Sequence, residues 1–555
     1  MTFRPPLDDI LFALDRMAGA DALAATTRFA ETAAPEARDA ALAEAARLCA
    51  DVLGPVNAVG DRQGARLENG VVRCPDGFAE AYAAVRDGGW IGVAADPAHG
   101  GMGLPQSTAV AIQEMMAGAN LAFANVVLLT NGQIDALEAH APDWVKALYL
   151  PKLIAGDWTG AMNLTEPQAG TDLAALRCRA EPAGDGTHRL RGQKIYITWG
   201  DHELAENVSH LVLARLPDAP AGVRGVSLFL APKFLPDAGG RPGARNALRP
   251  VSLERKLGIH ASPTCVMEYD GATAWMIGEP GGGLPAMFTM MNAARINVAA
   301  QGVGVAAAAL ALAEAYAASR VQGRTPFGAP TIEGHADVRR MLATMRARTA
   351  AARGICYLCA VAIDRARAGG ADAAVWQARA AFLTPIAKAF CTDVGVEVAS
   401  LGLQVHGGMG YVEDAGAAQL LRDARITPIY EGANGVQAMD LVGRKLADGG
   451  AAARGLLDGI AEAPAPLRAA KAALTRATDW MLAAGAVDRQ AGAADYLRAW
   501  ALTLGAHLLV RGAAADPARA PLADFFLRRE LPLAHGHLAA ATDGAAALYP
   551  ERAAS

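Results

Sequence analysis

His188-Arg189-Leu190-Arg191-Gly192-Gln193-Lys194-Ile195-Tyr196-Ile197-Thr198 decides how the rest of the chain is read. Polar and apolar residues take turns over short distances, and the run closes on β-branched and aromatic side chains. A period near two with that composition marks a strand. Residues 208–215 and 225–231 behave alike, and the turn-rich pieces Pro182-Ala183-Gly184-Asp185-Gly186 and Pro236-Asp237-Ala238-Gly239-Gly240 separate the runs. Short strands between regular turn signals predict an antiparallel barrel or sandwich over about residues 158–280.

Outward from this region the period changes. Helical pattern dominates residues 36–157, broken by a Gly-rich loop at 96–103. Long helical runs return over 281–446, and an alanine-rich helical region covers 450–555 after Gly449-Gly450. Residues 1–35 read as an extension, with Ile10, Leu11, Leu14 and Met17 at helical spacing. The expected order is extension, helical domain, β domain, helical bundle and C-terminal helical domain, without a repeat.

A chain of 555 residues implies three or four domains, and 52 % hydrophobic residues can fill their cores. A net charge of −5 and the absence of a basic stripe argue against nucleic acid as a partner. No basic amphipathic segment suggests a membrane surface, and the opening residues lack the pattern of a signal peptide. The apolar run at 303–313, between Arg295 and Glu314, reads as a buried helix rather than a span. Seven scattered cysteines imply no disulfide framework and a reducing cytosol. Cys356 and Cys359 form a CxxC in a helical stretch with no second pair, so they read as core residues. His535 and His537 also lack companions, and no metal site is expected.

Ile429-Tyr430-Glu431-Gly432 sets a carboxylate between an apolar pair and a glycine. An apolar setting disfavours the charged form and raises the pKa toward neutrality, which suits a general base. Alone, such a tetrapeptide is more often a solvated turn. Asn163-Leu164-Thr165-Glu166-Pro167-Gln168-Ala169-Gly170-Thr171-Asp172 is a polar loop whose hydroxyls and backbone N–H groups suit a heteroaromatic edge and a phosphate. An ordinary loop is the competing reading. Tyr196 could stack on a planar cofactor, or pack in the core. Arg324, in Arg320-Val321-Gln322-Gly323-Arg324-Thr325-Pro326-Phe327-Gly328, could grip a pyrophosphate, or merely follow a helix C-terminus. Gln404-Val405-His406-Gly407-Gly408-Met409-Gly410-Tyr411 could offer N–H groups to phosphate or adenosine, or be a plain loop. Gly302-Val303-Gly304 imitates a dinucleotide fingerprint but follows a helical pattern instead of a strand, and is rejected.

Taken in this order, the segments resemble the acyl-CoA dehydrogenase family over roughly residues 40–446. The resemblance implies a helical domain, a β-barrel and a helical bundle, with FAD as cofactor. It assigns Met162, Leu164, Thr165, Gly170 and Thr171 to the flavin loop, and Tyr196 and Thr198 to the flavin-contacting strand. Arg324 and Phe327 would meet the pyrophosphate, and Gln404 and Gly408 the adenosine diphosphate, from a neighbouring subunit of a dimer or tetramer. Glu431 falls on the catalytic base; Thr171, Arg295, Tyr430 and Gly432 fall on substrate contacts. The implied reaction is α,β-dehydrogenation of an acyl-CoA, with an electron-transfer flavoprotein or similar acceptor. The residues 5–12, 254–265 and the helical tail resemble a longer subgroup that holds 3-methylmercaptopropionyl-CoA dehydrogenases and broad-range fatty acyl-CoA dehydrogenases. Ala433 stands where threonine is common, Tyr196 where tryptophan is usual, and Gln437 keeps the family's glutamine. Two alternatives stay open: an acyl-CoA oxidase, and a DNA-associated relative without dehydrogenase activity. Against the latter, the tail mixes Arg519, Arg528 and Arg529 with Asp524 and Glu530.

Overall fold

The computed structural model describes residues 3–461 and 463–550. Met1 and Thr2 of the expected extension, and Glu462 and 551–555 of the expected C-terminal region, lie outside the described residues. The central strands are β1 (Trp158–Asn163), β2 (Arg179–Pro182), β3 (His188–Thr198), β4 (Asn207–Arg215), β5 (Val226–Pro232), β6 (Leu248–Leu253) and β7 (Thr264–Ile277). Their pairings close a ring: β7 on β3, β3 on β2, β2 on β4, β4 on β5 and β5 back on β7. Leu190, Val208, Val212, Phe229, Met267 and Tyr269 fill a core of this β region.

The expectation of a wholly antiparallel sheet is corrected. β1 runs parallel to β4, from Trp158 opposite Asn207 to Asn163 opposite Val212, and β2 meets β4 in parallel at Arg179 and Arg215. Alternation reports which face a side chain takes, not strand direction. The chain between β1 and β4 contains β2 and β3, long enough for a parallel return. The helical reading of residues 36–157 also missed a hairpin, Arg66–Glu68 with Val71–Arg73. Asn69 and Gly70 turn it with φ of 52° and 77°, the left-handed pair a two-residue hairpin requires.

Four long helices make the rest of the frame: α1 (Gln106–His140), α2 (Gly283–Ser319), α3 (Ala336–Arg367) and α4 (Ala373–His406). α1 breaks at Asn120, where φ is −161° and ψ is 92°. The Asn120 side chain accepts from Phe123 N at 3.0 Å and so caps the second half. Gly302 and Gly304 lie inside α2, not in a strand–helix turn. A Cβ at Gly304 would lie 2.3 Å from Glu114 O, and one at Gly302 2.3 Å from Cys391 O. These glycines let α1 and α4 approach α2 closely. α1 and α2 are each long and apolar enough to cross a membrane, and in this fold their apolar windows are 100 % and 83 % buried within the protein. Cys356 and Cys359 are buried in α3. The C-terminal helices pack on the bundle through Phe382 against Trp500, ring centres 5.0 Å apart, and through Arg348 to Glu530 at 2.8 Å.

Candidate active site

Glu431 lies in the loop between α5 (Ala417–Ala424) and α6 (Asn434–Asp440). Its φ is +55°, a left-handed conformation costing a non-glycine residue about 1–3 kcal/mol. The loop is fastened where that strain sits. Asn434 N donates to Pro428 O at 3.0 Å, and Gln437 Nε2 donates to Gly432 O at 3.2 Å. A Cβ on Gly432, at φ +90°, would lie 2.5 Å from Gln437 Nε2, so glycine is required there. Asn434 Nδ2 donates to Ala389 O at 3.1 Å and Asp393 Oδ1 at 2.8 Å, and its Oδ1 accepts from Lys388 Nζ at 2.9 Å. The catalytic loop is thereby pinned to α4.

Glu431 as a residue is half-buried, and its Oε2 is buried with no hydrogen-bond partner. Burial raises its pKa to about 7; Arg295 and Lys388 oppose the rise without cancelling it. The Glu431 backbone N–H also finds no acceptor among the described residues. An unsatisfied carboxylate beside a free N–H can take a proton from a carbon and hold the oxygen on which charge then develops. Arg295, buried on α2, donates from Nη1 to Asn292 Oδ1 at 3.1 Å and lies 3.9 Å from Asp440. Burial lowers its pKa, with Asp440 and Glu431 acting the other way. A cavity of about 590 Å³ opens beside it, reaching Asn292, Asp440, Thr384 and Arg367. A second cavity of about 550 Å³, between the N-terminal segment, α2, α3 and the C-terminal helices, touches none of the expected site residues.

The Thr165 loop folds onto β3. Leu164 O accepts from Lys194 Nζ at 2.9 Å, and Thr165 O from Ile195 N at 2.9 Å. Glu166 is buried against Lys194 Nζ at 2.8 Å and accepts from Arg177 N at 2.7 Å and Cys178 N at 3.0 Å. Its own burial would raise its pKa, but Lys194 and the backbone donors outweigh that and hold it below the ordinary value. Glu166 sits in a turn closed on Ala169. Met162 is half-buried on β1 and Leu164 buried beside it. The hydroxyls of Thr165, Thr171 and Thr198 have no protein partner among the described residues, and Gly170 faces open space. Tyr196 presents an exposed ring at φ +59°. Trp199, at φ +52° and buried, donates from Nε1 to Ala122 O at 3.2 Å, fixing the strand end to α1. Free hydroxyls, an open N–H and an exposed ring fit the flavin of FAD. Bound there, FAD would supply the hydride acceptor for the reaction.

Arg324, Phe327, Gln404 and Gly408 lie apart from that loop and share no hydrogen bond with it among the described residues. They are exposed and lie at or just past the paired ends of α2 and α4, where Tyr316 stacks on His406 with ring centres 4.4 Å apart. Phe327 (φ +63°), Val321, Met409 and Tyr411 add exposed apolar surface at this end. Sequence reasoning missed Asn434, Lys388, Asn125 and Gln301. The one local signal was a lysine in the apolar run Ile386-Ala387-Lys388-Ala389-Phe390.

Family models for the acyl-CoA dehydrogenase N-terminal and C-terminal domains match residues 35–157 and 281–446. The chain is 48 % identical over 483 residues to 3-methylmercaptopropionyl-CoA dehydrogenase of Ruegeria pomeroyi, covering 86 % of this chain and 82 % of that one. That likeness reaches beyond the span expected from the motifs. The fold is shared with Caenorhabditis elegans ACDH-11 in complex with C11-CoA, with a TM-score of 0.77 and 22 % identity over 95 % of this chain and 91 % of that one. It is shared too with a Bacillus anthracis acyl-CoA dehydrogenase complexed with FAD, with a TM-score of 0.75 and 19 % identity over 95 % and 90 %. The matched domains enclose the barrel and end just past the loop of Glu431, and this chain belongs to the acyl-CoA dehydrogenase family of FAD-dependent oxidoreductases.

Proposed function

We propose that the substrate is a short acyl-CoA thioester of the 3-methylmercaptopropionyl type and that Glu431 is the base. The observation that carries the reading is the buried, unpartnered Glu431 Oε2 beside a free backbone N–H. A buried carboxylate without donors is less stabilised in its ionised form than one in water, even with Arg295 and Lys388 nearby, so it accepts an α-proton readily near neutral pH. The Glu431 N–H would hold the thioester oxygen as negative charge moves onto it. Arg295 and the cavity beside it offer a cationic approach for the CoA portion. Tyr430 and Gly432 flank the base, and Thr171 stands at the flavin loop. The 48 % identity to the Ruegeria enzyme supports the substrate assignment.

Electrons would pass to an electron-transfer flavoprotein or similar acceptor, in the cytosol. The exposed patch of Phe327, Val321, Met409 and Tyr411, with Arg324 and Gln404, supports a homodimer or tetramer in which these residues complete a neighbour's cofactor site. Anaerobic bleaching of the flavin by an acyl-CoA series, from butyryl to octanoyl with 3-methylmercaptopropionyl-CoA included, tests the substrate. Full bleaching by the methylthio ester is expected. Bleaching only by long straight chains would reject it, and stoichiometric peroxide under air would identify an oxidase.

A further inference from the structure

Beside the catalytic loop lies a buried polar chain that proton abstraction does not use. The Tyr430 hydroxyl donates to Gln301 Oε1 on α2 and lies 3.5 Å from Asn125 Oδ1. Gln301 Nε2 donates to Asn125 Oδ1 at 2.7 Å. With tyrosine as first donor the bonds run one way, and the last group, Asn125 Nδ2, is left without an acceptor. Asn125 is 2 % exposed and Gln301 0 %. An unpaired amide N–H costs more buried than in water, so such a group calls for a partner the protein does not supply.

Its position says what that partner is. Ala122 and Asn125 are three residues apart and share a face of the second half of α1. Ala122 O holds Trp199, which directly follows Thr198 on β3, and Asn125 touches Tyr430, which directly precedes Glu431. This face therefore bridges the strand assigned to the flavin and the loop of the base. An acyl group reacting between the two would pass close to this face.

We propose that Asn125, oriented by Gln301 and Tyr430, is a specificity-determining residue that selects short acyl chains carrying a hydrogen-bond acceptor near their end, a thioether sulfur or ether oxygen, over alkyl chains of the same length. The inference rests on the reaction proposed above and names a determinant within it. An acceptor gives the Asn125 N–H its missing bond. A methylene in the same place leaves that N–H unpaired, and rejection follows from the unpaired group rather than from size.

The test compares three CoA esters of equal chain length, 3-methylmercaptopropionyl, 3-methoxypropionyl and pentanoyl, by anaerobic stopped-flow flavin reduction. In the FAD-loaded wild type both heteroatom esters should exceed pentanoyl in the ratio of reduction rate to dissociation constant. The oxygen ester should do so by about tenfold, the worth of one neutral hydrogen bond. Asn125→Leu, similar in shape, should erase the preference while pentanoyl-CoA still reduces the flavin; Tyr430→Phe should weaken it. If wild type prefers pentanoyl-CoA to the methoxy ester, the proposal is overturned with no variant needed. An unchanged preference in Asn125→Leu overturns it as well. If no acyl-CoA bleaches the wild-type flavin, the reaction reading fails, a result distinct from turnover of all three esters without preference.

Discussion

Glu166 and Glu431 are both carboxylates drawn into the protein by a loop, and their surroundings could hardly differ more. Glu166 meets a buried ammonium, two backbone N–H groups and the Gln168 amide at 2.6 Å. Glu431 Oε2 meets no donor, and its two cationic neighbours, Arg295 and Lys388, spend their short bonds on Asn292 and Asn434. The first is held ionised below its ordinary pKa; the second is pushed up to about 7. A satisfied carboxylate is fastening, and an unsatisfied one can react. The same contrast separates the loop that shapes the flavin site from the loop that does the chemistry.

The largest effect that would break this contrast is on the chemical step. Glu431→Gln should lower the single-turnover rate of flavin reduction by about 10² to 10⁴, the usual worth of a positioned base, while FAD and acyl-CoA still bind. Glu166→Gln should leave the reduction rate of any flavin that stays bound within a few-fold. If the two variants exchange these phenotypes, the assignment of roles is reversed.

Stability should move the opposite way. Glu166→Gln leaves Lys194 buried without its counter-ion. Breaking a buried pair costs about 3–5 kcal/mol, read as a lowered melting temperature and loss of FAD on gel filtration. A smaller effect is expected at Glu431. Its pKa rises from the ordinary 4.5 to about 7 on folding, so its contribution to stability is full below pH 4.5 and lost as pH rises through 7. Glu431→Gln removes that loss. The variant should melt near the wild-type temperature at pH 5 and above it at pH 8.5, by the equivalent of about 1–3 kcal/mol. A gap independent of pH would show that Glu431 is not the group being titrated.

Much of this contrast was legible in part. The order of helical, β and helical segments followed from the change of period at residues 158 and 281, because burial of one face imposes period on sequence. Asn69-Gly70 carried a plain hairpin signal inside a stretch read as helical. The parallel pairing of β1 with β4 could not be read, since strand direction leaves alternation unchanged. Nor could the break at Asn120, where Asn is unremarkable until its side chain is seen capping Phe123. The sequence places Glu431 in an apolar tetrapeptide and Glu166 in a polar loop. It does not show that Lys194, 28 residues from Glu166, closes on it, nor that Lys388 and Arg295 are turned elsewhere. Among the described residues, three of the six non-glycine residues at positive φ, Tyr196, Phe327 and Glu431, lie in the quoted motifs. Strain of that kind has no local sequence signal.

The central claim is that lack of donors poises Glu431 as a base near neutrality. The most direct measurement is the pH dependence, from 5 to 9, of flavin reduction rate divided by substrate dissociation constant, in anaerobic stopped-flow with a substrate that bleaches the flavin. The ionised carboxylate is the reactive form, and this ratio reports ionisation in the free enzyme. The ratio should rise with pH and level off with a midpoint near 7, and Glu431→Gln should abolish the rise. A flat profile, or a midpoint at the ordinary carboxylate value near 4.5, would contradict the account.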